Sequence, residues 1–402
     1  MRGKVVWVLT LVWCAFFVQC IVGAGSSGRR GVRLRLVAEY KHDILCDISS
    51  DGRLVLFYRS LYPTRSYRIY GGWVKANQPE VYDDELRVVD LRDGREVSRI
   101  RVEFFPENEQ FIPGTRQVFY GEPKPRSGGR RQYRVWDVVS GQTRICLDAP
   151  EGNFSSVRFL NHQHALGVVS QQEGESLGRL ILEGCTRQII AAADPSDSKK
   201  GVRGQLALSP DRCHLAYTLD STLKEALVRD AATLKVIKRI ESPSGLFLGD
   251  AIYTPDGKFL LVVASNTIFD KPETKRYLLF YDTTNYEVVR RLDVTSWSQP
   301  DVRDDRAVSS NVVGTAMAVS PDSRMLAVAY TSEERGVFST IEQAHVVLYD
   351  LASGSELARA SHPAIRQRRD DPFAARVNRI AFTPDGKYML TSTYDTRVWR
   401  IE

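Results

Sequence analysis

One short turn recurs along the chain and limits what it can fold into. It appears as Leu206-Ala-Leu-Ser-Pro-Asp211, Ala251-Ile-Tyr-Thr-Pro-Asp-Gly257, Ala318-Val-Ser-Pro-Asp322 and Ile380-Ala-Phe-Thr-Pro-Asp-Gly386. Proline pre-sets φ for the second position of a tight turn, Asp caps nearby backbone N–H groups, and Gly accepts the positive φ that closes it. Each copy is followed by a run of aliphatic and aromatic residues and then by a second β-rich run, so each marks a hairpin between buried strands. A second punctuation follows one strand later: Val88-Val-Asp-Leu-Arg-Asp-Gly94, Val135-Trp-Asp-Val-Val-Ser-Gly141, Leu279-Phe-Tyr-Asp-Thr-Thr284 and Val347-Leu-Tyr-Asp-Leu-Ala-Ser-Gly354. Two linked hairpins make a four-stranded antiparallel blade.

The same template finds weaker turns upstream, at Ile48-Ser-Ser-Asp-Gly52, Phe111-Ile-Pro-Gly114 and Phe159-Leu-Asn-His162. With Ser50, Pro113, Asn161, Pro210, Pro255, Pro321 and Pro384 taken as equivalent, the spacings are 63, 48, 49, 45, 66 and 63 residues. The shorter spacings suit a bare blade of about 40–45 residues, and the longer ones contain insertions. The last unit, from Asn378, has material for three strands only. Val32-Arg-Leu-Arg-Leu-Val-Ala38 alternates in period two and supplies the fourth, which closes the ring and removes an exposed edge. The expected fold is therefore all-β: a single seven-bladed β-propeller over 32–402, with six or eight blades, or two smaller β domains, as the alternatives.

The Trp136-Asp137, Tyr281-Asp282 and Tyr349-Asp350 pairs, together with the S/T-P-D-G turns, resemble the blades of WD-repeat and related bacterial propellers. The resemblance is strong from about Gln205 onward and weaker before it. The Gly-His dipeptide of that family is missing, with only His42 and His362 near its place. The resemblance therefore implies that the His-dependent hydrogen-bond network is absent from most blades. The turns are also similar to those of YVTN-type, lactonase-like propellers, which implies an alternative in which acids, His or metal ligands meet at the central channel.

Arg2 and Lys4 precede an apolar run from Val5 to Val22, and Val22-Gly23-Ala24 supplies the small residues of a cleavage site. Residues 1–24 thus read as a signal peptide cleaved after Ala24, or as an uncleaved signal anchor, since the run approaches the ~18 residues of a membrane span. Residues 25–31 form a spacer, and the remainder is exported to the periplasm or the cell exterior. Membrane attachment is expected only through an uncleaved leader. Loss of Arg2 and Lys4 takes the formal charge from +6 to +4, too mild a balance to argue for nucleic acid.

The long segments at 59–84, 122–131, 265–275, 294–313, 331–344 and 360–376 all fall between second and third strands or between blades. One face of the propeller should therefore be trimmed and the other elaborated. Loops on a rigid scaffold are where binding is usually placed. These loops offer Tyr62, Arg65, Tyr67, Arg68, Tyr70, Trp73, Arg130, Arg131, Phe269, Trp297, Arg366, Arg368, Arg369 and Phe373, of types that anchor interfaces by combining area with directed hydrogen bonds. Asp83, Asp84, Asp304, Asp305, Asp370 and Asp371 are interspersed, which favours a protein or glycan partner over a polyanion. The bland reading makes these solvated loop residues.

Catalytic signals are poor. Gly23-Ala-Gly-Ser-Ser-Gly28 spans the leader boundary and lacks the strand and helix of a nucleotide-binding loop. His162 and His164 sit in an expected turn with no third ligand nearby, and His42, His214, His345 and His362 are scattered, so no metal or cofactor is expected. Cys185 and Cys213 map to the trimmed face of adjacent blades and are the candidate disulfide of an exported chain. Cys46 and Cys146 read as packing residues. The residues thus favour a binding scaffold acting through the elaborated face, with a channel enzyme as the alternative.

Overall fold

The computed structural model describes residues 31–60, 84–102, 107–123, 131–148, 153–171, 174–184, 186–189, 202–219, 223–267, 274–295, 316–335, 340–367 and 377–402. From Val32 to Glu402 the chain forms one compact unit. It is a seven-bladed propeller of antiparallel blades.

Blade 1 runs through Asp43–Ile48, Leu54–Ser60, Asp84–Asp90 and Glu96–Val102, and blade 2 through Glu107–Phe111, Gln117–Pro123, Arg131–Asp137 and Thr143–Asp148. Blade 3 comprises Asn153–Phe159, His164–Gln171, Gly174–Ile181 and Thr186–Ile189; blade 4 comprises Val202–Leu208, His214–Leu219, Glu225–Asp230 and Val236–Glu241. Blade 5 is Phe247–Tyr253, Phe259–Ser265, Arg276–Asp282 and Val288–Asp293, and blade 6 is Met317–Val319, Met325–Arg335, Thr340–Asp350 and Glu356–Ser361. Blade 7 takes Arg379–Phe382, Tyr388–Ser392 and Thr396–Ile401 from the C-terminus and Leu34–Tyr40 from the N-terminal side. The first strands of neighbouring blades lie beside one another and form the wall of the central channel.

Leu34 pairs with Ile401 and Tyr40 with Thr396, as the alternation in 32–38 requires, although the strand starts and ends two residues later than expected. Arg33 and Glu402 exchange backbone hydrogen bonds of 2.8 and 3.0 Å. All seven equivalent turn positions fall between first and second strands.

The second and third strands of the blades are buried on both faces, so alternate residues serve opposite neighbours. In blade 1, Leu54, Leu56 and Tyr58 pack with Phe111, Val118, Tyr120 and Trp136 of blade 2. Val55 and Phe57 turn the other way, onto Leu390 and Val398 of blade 7. That is why the strands read as nearly continuous apolar runs.

Two expected loops contain strands. Within 331–344, Thr331 pairs with Ala344 and Arg335 with Thr340, so the pairing of the second and third strands of blade 6 extends beyond the blade. Within 360–376, Ile365–Gln367 pairs with this extension. The stretches are polar enough to read as loops because they extend past the two-sided apolar core that marks the other strands.

Candidate functional site

Every described first-to-second connection, and every third-to-fourth connection up to blade 6, leaves only four or five residues between strands. Five of the first kind share one hydrogen-bond network. In blade 1 the Ser49 hydroxyl donates to Asp51 Oδ1 (2.6 Å) and accepts the Leu54 N–H (2.8 Å), while Asp51 accepts the Arg53 N–H (3.0 Å). Ser209 with Asp211, Thr254 with Asp256, Ser320 with Asp322 and Thr383 with Asp385 repeat it. The Ser49 and Ser209 hydroxyls hold the Asp51 and Asp211 carboxyls below the usual carboxylate range. The third-to-fourth turns use the Asp of the aromatic-Asp pair. Asp137 Oδ1 accepts Val139 and Ser140 N–H, and its carbonyl accepts the Gly141 N–H (2.9 Å). Gly94, Gly141 and Gly354 take the positive φ that closes this turn, but in blades 4 and 5 Leu234 (φ 59°) and Tyr286 (φ 57°) take it. A non-glycine residue there costs about 1–2 kcal/mol; both side chains are buried in the core, which offsets it.

These tight turns all lie on one face. By the antiparallel alternation, second-to-third connections and blade-to-blade links emerge on the other face, where Ser60 and Asp84, and again Asp293 and Met317, leave 23 residues between them. The chain enters the propeller on the trimmed face, because Leu34 pairs with the turn-side end of Thr396–Ile401. Of the candidate interface residues, Arg131 opens the third strand of blade 2 opposite Pro123, and Arg366 sits on the short added strand opposite Ile341. Tyr62, Arg65, Tyr67, Arg68, Tyr70, Trp73, Arg130, Phe269, Trp297, Arg368, Arg369 and Phe373 lie outside the described residues.

The channel wall shows a pattern that the sequence does not announce. First strands in blades 1 to 5 carry register irregularities, between Leu45 and Asp47, Glu107 and Gln110, Ser155 and Arg158, Arg203 and Ala207, and Leu248 and Ala251. Bulges re-aim side chains. Here they let polar residues of blades 1, 2 and 3 reach the first strand of the next blade. Asp47 accepts the Phe111 N–H (2.8 Å), Gln110 donates to the Val157 carbonyl (3.2 Å), and Arg158 donates to the Leu206 carbonyl (3.0 Å). Channel-edge backbone groups, which have no fifth strand to pair with, are thereby satisfied. Arg379 of blade 7 extends the series backward, with its guanidinium 3.4 Å from Asp47 Oδ1. Burial raises the Asp47 carboxyl by more than Arg379 and the Phe111 N–H lower it.

A buried His network sits in the closing blade. His362 Nε2 lies 2.9 Å from Thr391 Oγ1, which also accepts the Trp399 Nε1–H at 2.8 Å. The equivalent pair in blade 4 is Arg229 donating to the Tyr217 hydroxyl (2.8 Å), whereas the indole N–H of Trp136 in blade 2 has no acceptor among the described residues. Burial depresses His362 to about 4 and, with Arg359 nearby, His345 to about 4. His162 is exposed in its turn, and no group of three or more His, Cys, Asp or Glu able to hold a metal occurs among the described residues. Cys213 is exposed and carries a free thiol in the structure; Cys185 lies outside the described residues. Cys46 and Cys146, read as packing residues, are both buried, one in an inner and one in an outer strand.

No protein-family model matches the chain, and no curated protein matches it in sequence. Among solved structures it is similar to Kuenenia stuttgartiensis hydrazine synthase, with a TM-score of 0.56 and 16% identity, over 90% of this chain and 96% of the matched chain. The likeness is one of fold, and the resemblance to WD-repeat and YVTN propellers rests on the turn and aromatic-Asp residues alone.

Proposed function

We propose that the protein is an exported binding scaffold whose partner, a protein or a glycan, docks on the face that carries the long connections. The asymmetry of the two faces supports this reading. Turns on one face are held to four or five residues by a repeated network, while insertions of up to 23 residues are confined to the other, away from the point of chain entry. Surface loops tolerate insertion cheaply, so drift alone predicts insertions on both faces. Their confinement to one face is what selection for a binding surface leaves behind. The Tyr-, Trp- and Arg-rich content of 59–84 suits a partner read by aromatic area and directed hydrogen bonds.

The test is co-purification from the native envelope fraction. Wild-type protein is compared with a variant whose 59–84 segment is replaced by a short Gly-Ser turn. A partner retained by the wild type and lost by the folded variant is the expected result. Recovery of both proteins alone refutes the reading.

A further inference from the structure

Arg158, Asp250 and Arg379 line a cavity of about 370 Å³ within the channel, but its two guanidinium groups are taken up by the Leu206 and Val157 carbonyls and by Asp47. A second cavity, of about 320 Å³, opens on the trimmed face between blades 4 and 5. Its volume is that of a small-ligand site. Pro210 and Asp211 of one first-to-second turn and Pro255 and Asp256 of the next flank it, with His214 and Tyr253 beside them.

Its polar groups keep capacity that the fold does not use. A carboxylate offers about four acceptor sites. Asp211 Oδ1 accepts the Ser209 hydroxyl and the Cys213 N–H, and the weak Cys213 thiol lies beside the carboxylate. Asp256 Oδ1 accepts the Thr254 hydroxyl and the Lys258 N–H, while Lys258 Nζ stands 3.6 Å from Oδ2, too far for a hydrogen bond. The His214 ring is set by two tyrosines. Tyr253 is buried and its hydroxyl has one partner, the Tyr286 hydroxyl at 3.2 Å, so it donates there; Tyr286 in turn donates to His214 Nδ1 at 3.0 Å. Tyr286 reaches this place by taking the positive φ (57°) of its turn, where Gly94, Gly141 and Gly354 of sister turns have no side chain to offer. With Nδ1 the acceptor, the ring proton lies on Nε2, which has no acceptor among the described residues. Acceptors on two sides and a donor on a third call for ligand groups that both donate and accept. A hydroxyl does so; an ammonium only donates and leaves the Nε2–H unmatched, and an anion is repelled by Asp211 and Asp256. The Pro210, Pro255 and Tyr253 rings give the apolar surface that the C–H face of a sugar ring covers.

We infer that the cavity between blades 4 and 5 binds a neutral hexose, with Asp211 and Asp256 accepting from its hydroxyls, His214 Nε2–H donating to one of them and the proline rings against its C–H face. The site lies on the face opposite the long connections, and neither reading depends on the other.

Isothermal titration of the full chain with glucose, galactose, mannose, glucuronate and cyclohexylamine tests it. At least one neutral hexose is expected to bind at millimolar concentration, more tightly than glucuronate, which adds a carboxylate, and than cyclohexylamine, which keeps the ring size but offers only an ammonium. The methyl glycoside of the hexose that binds separates a free sugar, held by its anomeric hydroxyl, from the end of a glycan. His214→Phe keeps an aromatic ring without the donor and should weaken hexose binding about two- to tenfold. Asp211→Asn keeps the Oδ1 acceptor of its turn but replaces Oδ2 by a donor, and should weaken binding about tenfold or more. Melting temperatures report that each variant is folded. The inference is overturned if no hexose binds at millimolar concentration, if glucuronate or cyclohexylamine binds as tightly as the best hexose, or if either folded variant binds like the wild type.

Discussion

Replacing Thr391 by Val tests whether the closing blade is held by its buried hydroxyl. Thr391 is fully buried, and its Oγ1 lies 2.8 Å from the Trp399 indole nitrogen and 2.9 Å from His362 Nε2. Valine has nearly the same shape, so packing changes little, but both nitrogens lose their partner in a dry site. Each stranded group costs about 1–3 kcal/mol, offset by about 0.8 kcal/mol for the added apolar group. The expected loss is therefore about 1–5 kcal/mol, to be set against the ~5–15 kcal/mol typical of a folded protein. Urea unfolding of the protein measures it. Thr391→Ser keeps the hydroxyl and should lose only about 1 kcal/mol. In a Trp399→Phe background the valine penalty should shrink, since one stranded donor is gone. A Thr391→Val protein within about 0.5 kcal/mol of the parent, or an equal penalty in both backgrounds, would refute the reasoning.

Three further outcomes are expected. His362 is buried in its neutral form, with a folded value of about 4 against about 6.5 when unfolded. Its contribution is thus complete above pH 6.5 and is lost as pH falls toward 4, by about 3 kcal/mol. Urea midpoints at pH 7 and 4.5 report it, and a slope unchanged in His362→Gln would count against it. Arg212 sits at φ 61° where sister turns have Gly52, Gly257 and Gly386, and it donates to the Leu160 carbonyl. Arg212→Gly relieves about 1–2 kcal/mol of left-handed strain and loses less than that in contacts and chain entropy. Its melting temperature should hold or rise, and a fall of several degrees contradicts this. At Gly52 (φ +71°) an added Cβ lies 2.6 Å from Pro384 Cδ, whereas at Gly141 (φ +72°) it meets nothing within 4 Å. Gly141→Ala isolates the backbone penalty of about 1 kcal/mol, and Gly52→Ala should exceed it by about 1 kcal/mol or more on thermal unfolding.

The turns were legible because their chemistry is local: Ser or Thr, Asp and the residue five positions on are all within one hairpin. The closing strand was legible from its alternation and from the missing fourth strand of the last blade. Less local features escaped. The second hairpin of blade 4 uses Asp230 like the others, but Arg229 stands where an aromatic residue is expected, with Tyr217 as its partner, so the signature is disguised. The channel cavity draws Arg158, Asp250 and Arg379 from three blades, a juxtaposition no single stretch of sequence records. His362 was noted only as near a family position; its value lies in Thr391 and Trp399, nearly thirty or more residues away in sequence.

The pairing of Leu34 with Ile401 joins positions almost a whole chain apart. Closing a loop of that length costs about 5 kcal/mol of entropy, and it happens only after the final strand exists. Synthesis therefore yields an open arc of six complete blades that waits for its last partner, with bare surfaces on its two end blades. Once shut, the arc is a circle with a nick, and the nick lies where two strands meet edge to edge without a covalent link. A chain that joined Glu402 to Arg33 and opened at another blade-to-blade link would trace the same circle in a different order of synthesis.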